Sequence, residues 1–245
     1  MTRLSVNVNK VALLRNQRDV GIPSVLHAAQ LCVDAGAHGI TVHPRPDERH
    51  VRRTDVLELD AWLRDVPHVE YNIEGNPFPE FVELVSRVKP AQVTLVPDAP
   101  GATTSDHGWR LQDDGDRLAP IIAQFRRDGI RVSLFMDVDS NEWTMARELG
   151  ADRVELYTEP YAKGFAGGEA EASLAQFAAA ARAAYKAGLG VNAGHDLNLD
   201  NLGAFCRIPG ILEVSIGHAL IADALEMGLP AAVRAYLAVL EEQPA

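Results

Sequence analysis

Three of the eight histidines in this 245-residue sequence stand directly after short apolar runs: His43 after ITV, His195 after VNAG and His218 after VSIG. Glu74 closes another such run, YNIE. Imidazoles titrate near neutral pH and burial raises a carboxylate's pKa, so side chains of these types can give and take protons within one site. Singly, a strand-end histidine is more often a hydrogen-bonded structural group. The convergence of His43, His195 and His218 with Glu74 favours chemistry. Glu155 lies inside the run RVELY, where a carboxylate is costly to bury alone, so it is either an internal ion-pair partner or part of the site. Asn7, Asn9 and Lys10 end the first run, Arg45 and His50 lie beyond the second in HPRPDERH, and Thr103 lies in a long polar stretch after the fourth. Asp196 follows His195.

Gly194 and Gly217 directly precede His195 and His218, positions where backbone N–H groups and a helix N-terminus can hold a phosphate, although ordinary tight turns read alike. Arg18, Arg45, Arg49, Arg52 and Arg53 put cations near the first two runs. Most read as solvated surface charges, but Arg45, close behind His43, is placed for a bidentate grip on phosphate. The prolines of HPRPDERH prevent its two histidines from sharing a helix face, so no metal site is specified. GFAGG at 164–168 reads as a flexible loop, and Trp62, Trp109 and Trp143 show no pattern.

These residues need a scaffold that gathers strand ends. Val- and Ile-rich runs predict strands at 4–8, 39–42, 70–73, 92–95, 131–135, 153–156, 190–192 and 213–216. Helical spacing predicts helices at 24–35, 54–64, 77–88, 116–128, 141–149, 169–187, 198–208 and 219–240. Ser24 can cap a start, Pro77 suits a first turn, and Gly36, Gly150 and Gly188 follow helix ends. Eight strand–helix repeats in a chain of this length match a (β/α)8 TIM barrel, an α/β fold, formed as a single domain over 1–245. The rival, a doubly wound sheet, usually carries a glycine-rich turn after its first strand, whereas VNVNKVALLRN has no glycine. The stretch from 97 to 115 is long enough to be a lid.

The composition, 47% hydrophobic and 23% charged, fits a globular chain with one large core. A net charge of -11 disfavours nucleic acid as a partner, so any bound phosphate must be held locally. Cys32 and Cys206 form no metal or disulfide pattern. The first residues lack the apolar centre of a signal peptide, and no window reaches the roughly 18 apolar residues of a membrane span. A mature, soluble, cytoplasmic protein without membrane partners is expected.

At VNVNKVALLRNQR, GITVHPRPDERH, NIEGNP, QVTLVPD, VSLFMD, VELYTEPYA, VNAGHDLN and SIGHALI the sequence closely resembles the PdxJ family of pyridoxine 5'-phosphate synthases, in the same order over nearly the whole chain. The resemblance implies a (β/α)8 barrel with additional helical elements, assembled as a homo-octamer. It implies condensation of 1-deoxy-D-xylulose 5-phosphate with 3-amino-2-oxopropyl phosphate to pyridoxine 5'-phosphate, with no metal or organic cofactor. It places acid/base roles on His43, Glu74 and His195 and transition-state stabilisation on Glu155. Amino-ketone phosphate binding falls on Asn7, Arg18, Asp196, Gly217 and His218, and deoxyxylulose phosphate binding on Asn9, Lys10, Arg45, His50 and Thr103. Some members have Asp-His where this chain has Asn9-Lys10, which changes the charge at a substrate contact. Three other readings are a class I aldolase with a Lys10 Schiff base, a metal-dependent sugar-phosphate enzyme, and a non-catalytic phosphometabolite-binding barrel.

Overall fold

Leu4 and Val6, Ile40 and Val42, and Val132 and Leu134 alternate with Ser5, Thr41 and Ser133, and in extended chain the two sets face opposite ways. The computed structural model, which describes residues 1–102 and 104–242, shows what each set meets. The strands β1 (Arg3–Asn7), β2 (Gly39–Val42), β3 (Glu70–Gly75), β4 (Gln92–Leu95), β5 (Arg131–Met136), β6 (Arg153–Tyr157), β7 (Gly190–Gly194) and β8 (Ile211–Ile216) pair in parallel. They close into a barrel in sequence order, β8 against β1. The apolar positions join the main hydrophobic core with the surrounding helices. The polar positions meet inside: Gln92 donates to Glu213 across from β4 to β8, and Asn192 of β7 donates to Gln92.

The barrel interior is therefore layered by chemistry. At the strands' N-terminal end, Arg3 and Arg131 both hold Glu70, while Arg153 lies 3.7 Å from buried Glu213. Above this lie Ser5, Thr41, Asn72 and Thr94, joined by Ser5–Thr41 at 2.6 Å and Thr94 to Asn72 at 3.1 Å. At the C-terminal end Val96, Phe135 and Tyr157 make a small separate apolar cluster. Polar residues directed inward leave one end able to host a ligand, and in barrels of this kind it is the C-terminal end.

The surrounding helices are α1 (Asn9–Arg15), α2 (Val25–Asp34), α3 (Arg53–Leu63), α4 (Pro79–Val88), α5 (Leu111–Arg127), α6 (Trp143–Glu148), α7 (Glu159–Ala166), α8 (Ala170–Lys186), α9 (Leu202–Phe205), α10 (His218–Met227) and α11 (Leu229–Glu241). Ser24 caps α2 by accepting from His27 N–H. Several boundaries differ from expectation. α4 starts on Pro79 rather than Pro77, because Phe78 is the extended residue before it. α5 starts at Leu111 rather than 116: Gly115 lies in its buried face, where an added Cβ would come 3.0 Å from Met145, so packing outweighs the glycine's low propensity. The polar stretch after β4 is shorter by the same amount. GFAGG is not wholly a loop, since α7 runs to Ala166 around buried Tyr161. The segment expected at 198–208 contracts to α9, and the closing one divides at Gly228, whose φ of 84° ends α10. α1, α7 and one member of this last pair are additional to the one helix that follows each strand. Among the described residues no helix is long and apolar enough to cross a membrane.

Candidate active site

The C-terminal strand ends surround a cavity of about 420 Å3. His43 leaves β2 with its backbone N–H donating to Asn9 Oδ1 at 2.9 Å, which ties the start of α1 to the second strand's end. Its Nδ1 lies 4.0 Å from Glu74 Oε2 and its Nε2 3.8 Å from Asp98 Oδ2, so a carboxyl flanks each nitrogen. Burial, then the nearby cations Arg45 and Arg49 with His50 and His195, holds the His43 pKa well below the usual imidazole value. The ring is neutral near neutral pH.

Glu74, on β3, shows the opposite shift. Burial, reinforced by Asp98 and Glu213, raises its pKa to about 8, against the opposing effects of a Ser215 hydrogen bond and Arg45. Glu155, on β6, is also raised well above the carboxylate range, by burial and then by Glu74 and Glu213. Its Oε2 is buried without a hydrogen-bond partner among the described residues. The internal ion pair lies deeper, toward the strands' N-terminal end, between Glu213 and Arg153, whereas Glu155 lines the cavity. Adjacent β7 accommodates Glu155 only because residue 194 is glycine: a Cβ there would lie 2.6 Å from Glu155 Oε1 and 3.1 Å from Ser215 O. We expect Gly194→Ala to lower the melting temperature by several degrees, corresponding to the about 1–3 kcal/mol of an overpacked interior. Gly101→Ala, with nothing within 4 Å, is the control. Equal melting temperatures for the two variants would refute this close packing.

His195 follows β7 at a φ of 86°, and Asp196 continues at 57°, a left-handed pair that turns the chain across the mouth. The hydroxyl of Thr158 lies 2.5 Å from the carbonyl oxygens of both Gly194 and His195. The rings of Phe135 and Tyr157 stand 5.2 and 5.3 Å from the His195 ring, centre to centre. Burial lowers its pKa, against the raising effects of Asp196 and Asp98.

Two buried ion pairs fix the cationic rim. Arg15 grips Asp55 at the start of α3 with both terminal nitrogens and also donates to His50 O, while Asn16 donates to the carbonyls of residues 48, 49 and 50. These bonds hold the HPRPDERH loop in place. His50 Nδ1 accepts from Val51 N–H, and burial with Arg45, Lys10 and Arg49 nearby lowers its pKa to about 4. Arg45 donates to Asp98 at 2.7 Å and to Ala102 O at 3.1 Å, tying the loop after β4 to the rim. On the opposite side Gly217 precedes α10, whose N-terminus begins with His218. A Cβ on Gly217 would meet Asn7 Cβ at 3.2 Å, so the glycine permits close approach to β1.

Of the residues singled out by sequence, Asn7, Asn9, Lys10, His43, Arg45, His50, Glu74, Glu155, His195, Asp196, Gly217 and His218 all line this one cavity. Arg18 is exposed in the segment after α1 and does not line it. Thr103 lies outside the described residues, and its neighbour Thr104 is in the lining. Asp98 and Tyr157 were not anticipated; a carboxylate just past a predicted strand end was the available signal for Asp98.

A closed parallel barrel whose mouth combines neutral imidazoles, proton-retaining carboxyls, a cationic rim and a helix N-terminus defines the (β/α)8 barrels equipped to handle small anionic molecules. Similar folds occur in phosphoribosyl anthranilate isomerase from Thermus thermophilus, with TM-score 0.59, 13% identity and 98% of each chain covered. Thiamine phosphate pyrophosphorylase from Pyrococcus furiosus is likewise similar, with TM-score 0.61, 13% identity, and 98% of this chain and 96% of that one covered. Residues 4–242 match the family described as "Pyridoxal phosphate biosynthesis protein PdxJ", and the chain belongs to that family. Among its relatives, the pyridoxine 5'-phosphate synthase of Albidiferax ferrireducens is 58% identical over 242 residues, covering 96% of each chain. That of Xanthomonas axonopodis pv. citri is 56% identical over 247 residues, covering 98% of this chain and 96% of the other.

Proposed function

We infer that this chain is an enzyme making pyridoxine 5'-phosphate by condensing 1-deoxy-D-xylulose 5-phosphate with 3-amino-2-oxopropyl phosphate, releasing inorganic phosphate and water. The observation that carries the reading is the convergence of His43, Glu74, Glu155 and His195 on one cavity, where burial pushes the carboxyls up and the imidazoles down, in a chain 58% identical to a pyridoxine 5'-phosphate synthase. Ring construction joins the amine to the pentulose ketone as an imine, removes a proton, expels phosphate, adds water, closes the ring and dehydrates it. Each step moves a proton at or near a carbonyl-derived carbon, which groups poised in both directions can serve.

Glu74 and His43 alternate as acid and base, His195 protonates departing phosphate or water, and Glu155 steadies charge that develops in the ring. Asn7, Asp196, Gly217 and His218 hold the amino-ketone phosphate, where the N-terminus of α10 supports anion binding, and Arg18, exposed outside the cavity lining, must move inward to join them. Asn9, Lys10, Arg45, His50 and Thr103 hold the pentulose phosphate. The loop after β4 closes over both and shields the imine from bulk water. In the cell the enzyme is a cytoplasmic homo-octamer acting on these small phosphates, with neither nucleic acid nor membrane as partner and with no cofactor.

Arg45→Ala is expected to raise KM for the pentulose phosphate about 10- to 100-fold, the loss of charged hydrogen bonds, while the saturated single-turnover rate changes little. A large fall in that rate would move Arg45 from binding into the chemistry. Lys10 also lines the cavity, so borohydride reduction with substrate followed by intact mass tests the covalent alternative. The acid/base reading requires an unmodified Lys10 and full activity after chelation. A reduced adduct on Lys10 would support the Schiff-base aldolase, and activity lost on chelation and restored by a metal would support the metal-dependent enzyme.

A further inference from the structure

Asp98 is a buried carboxylate that the mechanism above leaves unused. It follows β4 in the sequence Val96-Pro97-Asp98, and its place is fixed from both sides. Asn76, just past β3, donates to its carbonyl oxygen at 3.0 Å, and Val96 N–H donates to Gly75 O at 3.1 Å. Its Oδ2 accepts from Arg45 and from the Ser105 hydroxyl, each at 2.7 Å, and lies 3.8 Å from His43 Nε2. Oδ1 is buried with no hydrogen-bond partner among the described residues.

A purely structural ion pair with Arg45 would account for Oδ2 alone. It would not explain why the same Oδ2 is the oxygen that approaches His43 Nε2, nor why the carboxylate keeps in Oδ1 an acceptor that no donor among the described residues meets. At 3.8 Å the approach of Nε2 to Oδ2 is longer than a hydrogen bond, but a proton on Nε2 would point at the carboxylate and leave the lone pair of Nδ1 toward Glu74. We propose that Asp98 is a positioning residue for His43, holding the ring with its proton on Nε2 and its basic Nδ1 toward Glu74, and steadying the imidazolium when Nδ1 takes a proton.

This rests on the acid/base reading of His43 and Glu74 and gives that pair a direction. Because Glu74 retains its proton near neutrality, its O–H and the free Nδ1 are complementary, and a proton can pass between them in either sense. The arrangement follows the logic of a histidine oriented by a buried carboxylate on one nitrogen while the other works. Ser105 brings the loop after β4 into the same cluster, so the seating of the loop and that of the imidazole share one carboxylate.

The test compares purified wild-type protein with Asp98→Asn and Asp98→Glu. Each is assayed for kcat and KM with both phosphorylated substrates. Solid-state 15N spectra of histidine-labelled protein, with His43 assigned by its loss in His43→Gln, report the tautomer without any turnover. Asp98→Asn should lower kcat about tenfold or more while changing the pentulose-phosphate KM much less, and should reduce the Nε2-protonated population of His43. Asp98→Glu, which keeps the charge, should recover most of the lost kcat. Wild-type kcat in Asp98→Asn, a loss confined to KM, or an unchanged tautomer would overturn the proposal. Absence of product from the wild-type protein with the expected tautomer present would instead overturn the assigned reaction.

Discussion

Glu74→Gln is expected to remove nearly all turnover and at the same time make the protein more resistant to heat above neutral pH. The first effect follows from its place as an acid/base group, a role that contributes about 10^2- to 10^4-fold in rate. The amide retains the shape and some hydrogen bonding of the carboxyl but neither accepts nor releases the proton. The second effect follows from linkage. Glu74 is raised from 4.5 to about 8, so between these values the folded chain keeps a proton that the unfolded chain has released. Stability then falls as pH rises through that window, and the loss is complete above the folded pKa. Glutamine carries no such penalty. The melting temperature of the variant should exceed that of wild type by several degrees at pH 8, with the gap closing as pH approaches 4.5. A lower melting temperature for the variant at pH 8, or a gap that widens toward acid pH, would contradict the buried, protonated carboxyl. Near-normal turnover would remove Glu74 from the mechanism.

His195→Asn should cost a similar factor in the single-turnover rate and little in stability or binding. Asparagine suits the experiment because the backbone at this position has a φ of 86°, a conformation asparagine tolerates far better than branched residues. The Thr158 hydroxyl, which holds the turn through the carbonyls of residues 194 and 195, is untouched. What disappears is a neutral imidazole, packed against the Phe135 and Tyr157 rings, that can collect a proton early and return it to a leaving group. Rapid-quench analysis should find an adduct of both substrates accumulating with its phosphate still attached. Phosphate release at the wild-type rate would move the leaving-group role elsewhere.

The barrel was legible because the outward positions of its strands are nearly all Val, Ile or Leu, giving eight runs at regular spacing. The helices that sequence misplaced are those whose residues defy local rules. α5 contains Gly115 and Pro120 yet runs through both, held by packing on its buried face. α1 begins almost at once after β1 with no capping side chain, so its start leaves no mark. α7 spends Pro160 in its first turn and Gly164 within it, and only Tyr161 is buried. Most of the candidate site was legible for a simple reason: its residues stand one or two places past apolar runs, where the barrel gathers them. Asp98 stands in a similar place but leads into a stretch rich in polar and acidic residues, and only the folded chain brings it to 3.8 Å from His43. The inverted protonation of His43 and Glu74 is likewise a product of burial and neighbours, which no spacing reveals.

The most direct measurement is an assay of purified, chelator-treated protein given both phosphorylated substrates together and each alone, scoring inorganic phosphate and a product of pyridoxine 5'-phosphate mass in the same samples. The account predicts both products, in equal amounts, from the pair and from neither substrate alone. Intact binding of both substrates with no ring product, or phosphate released without it, would contradict the assigned reaction.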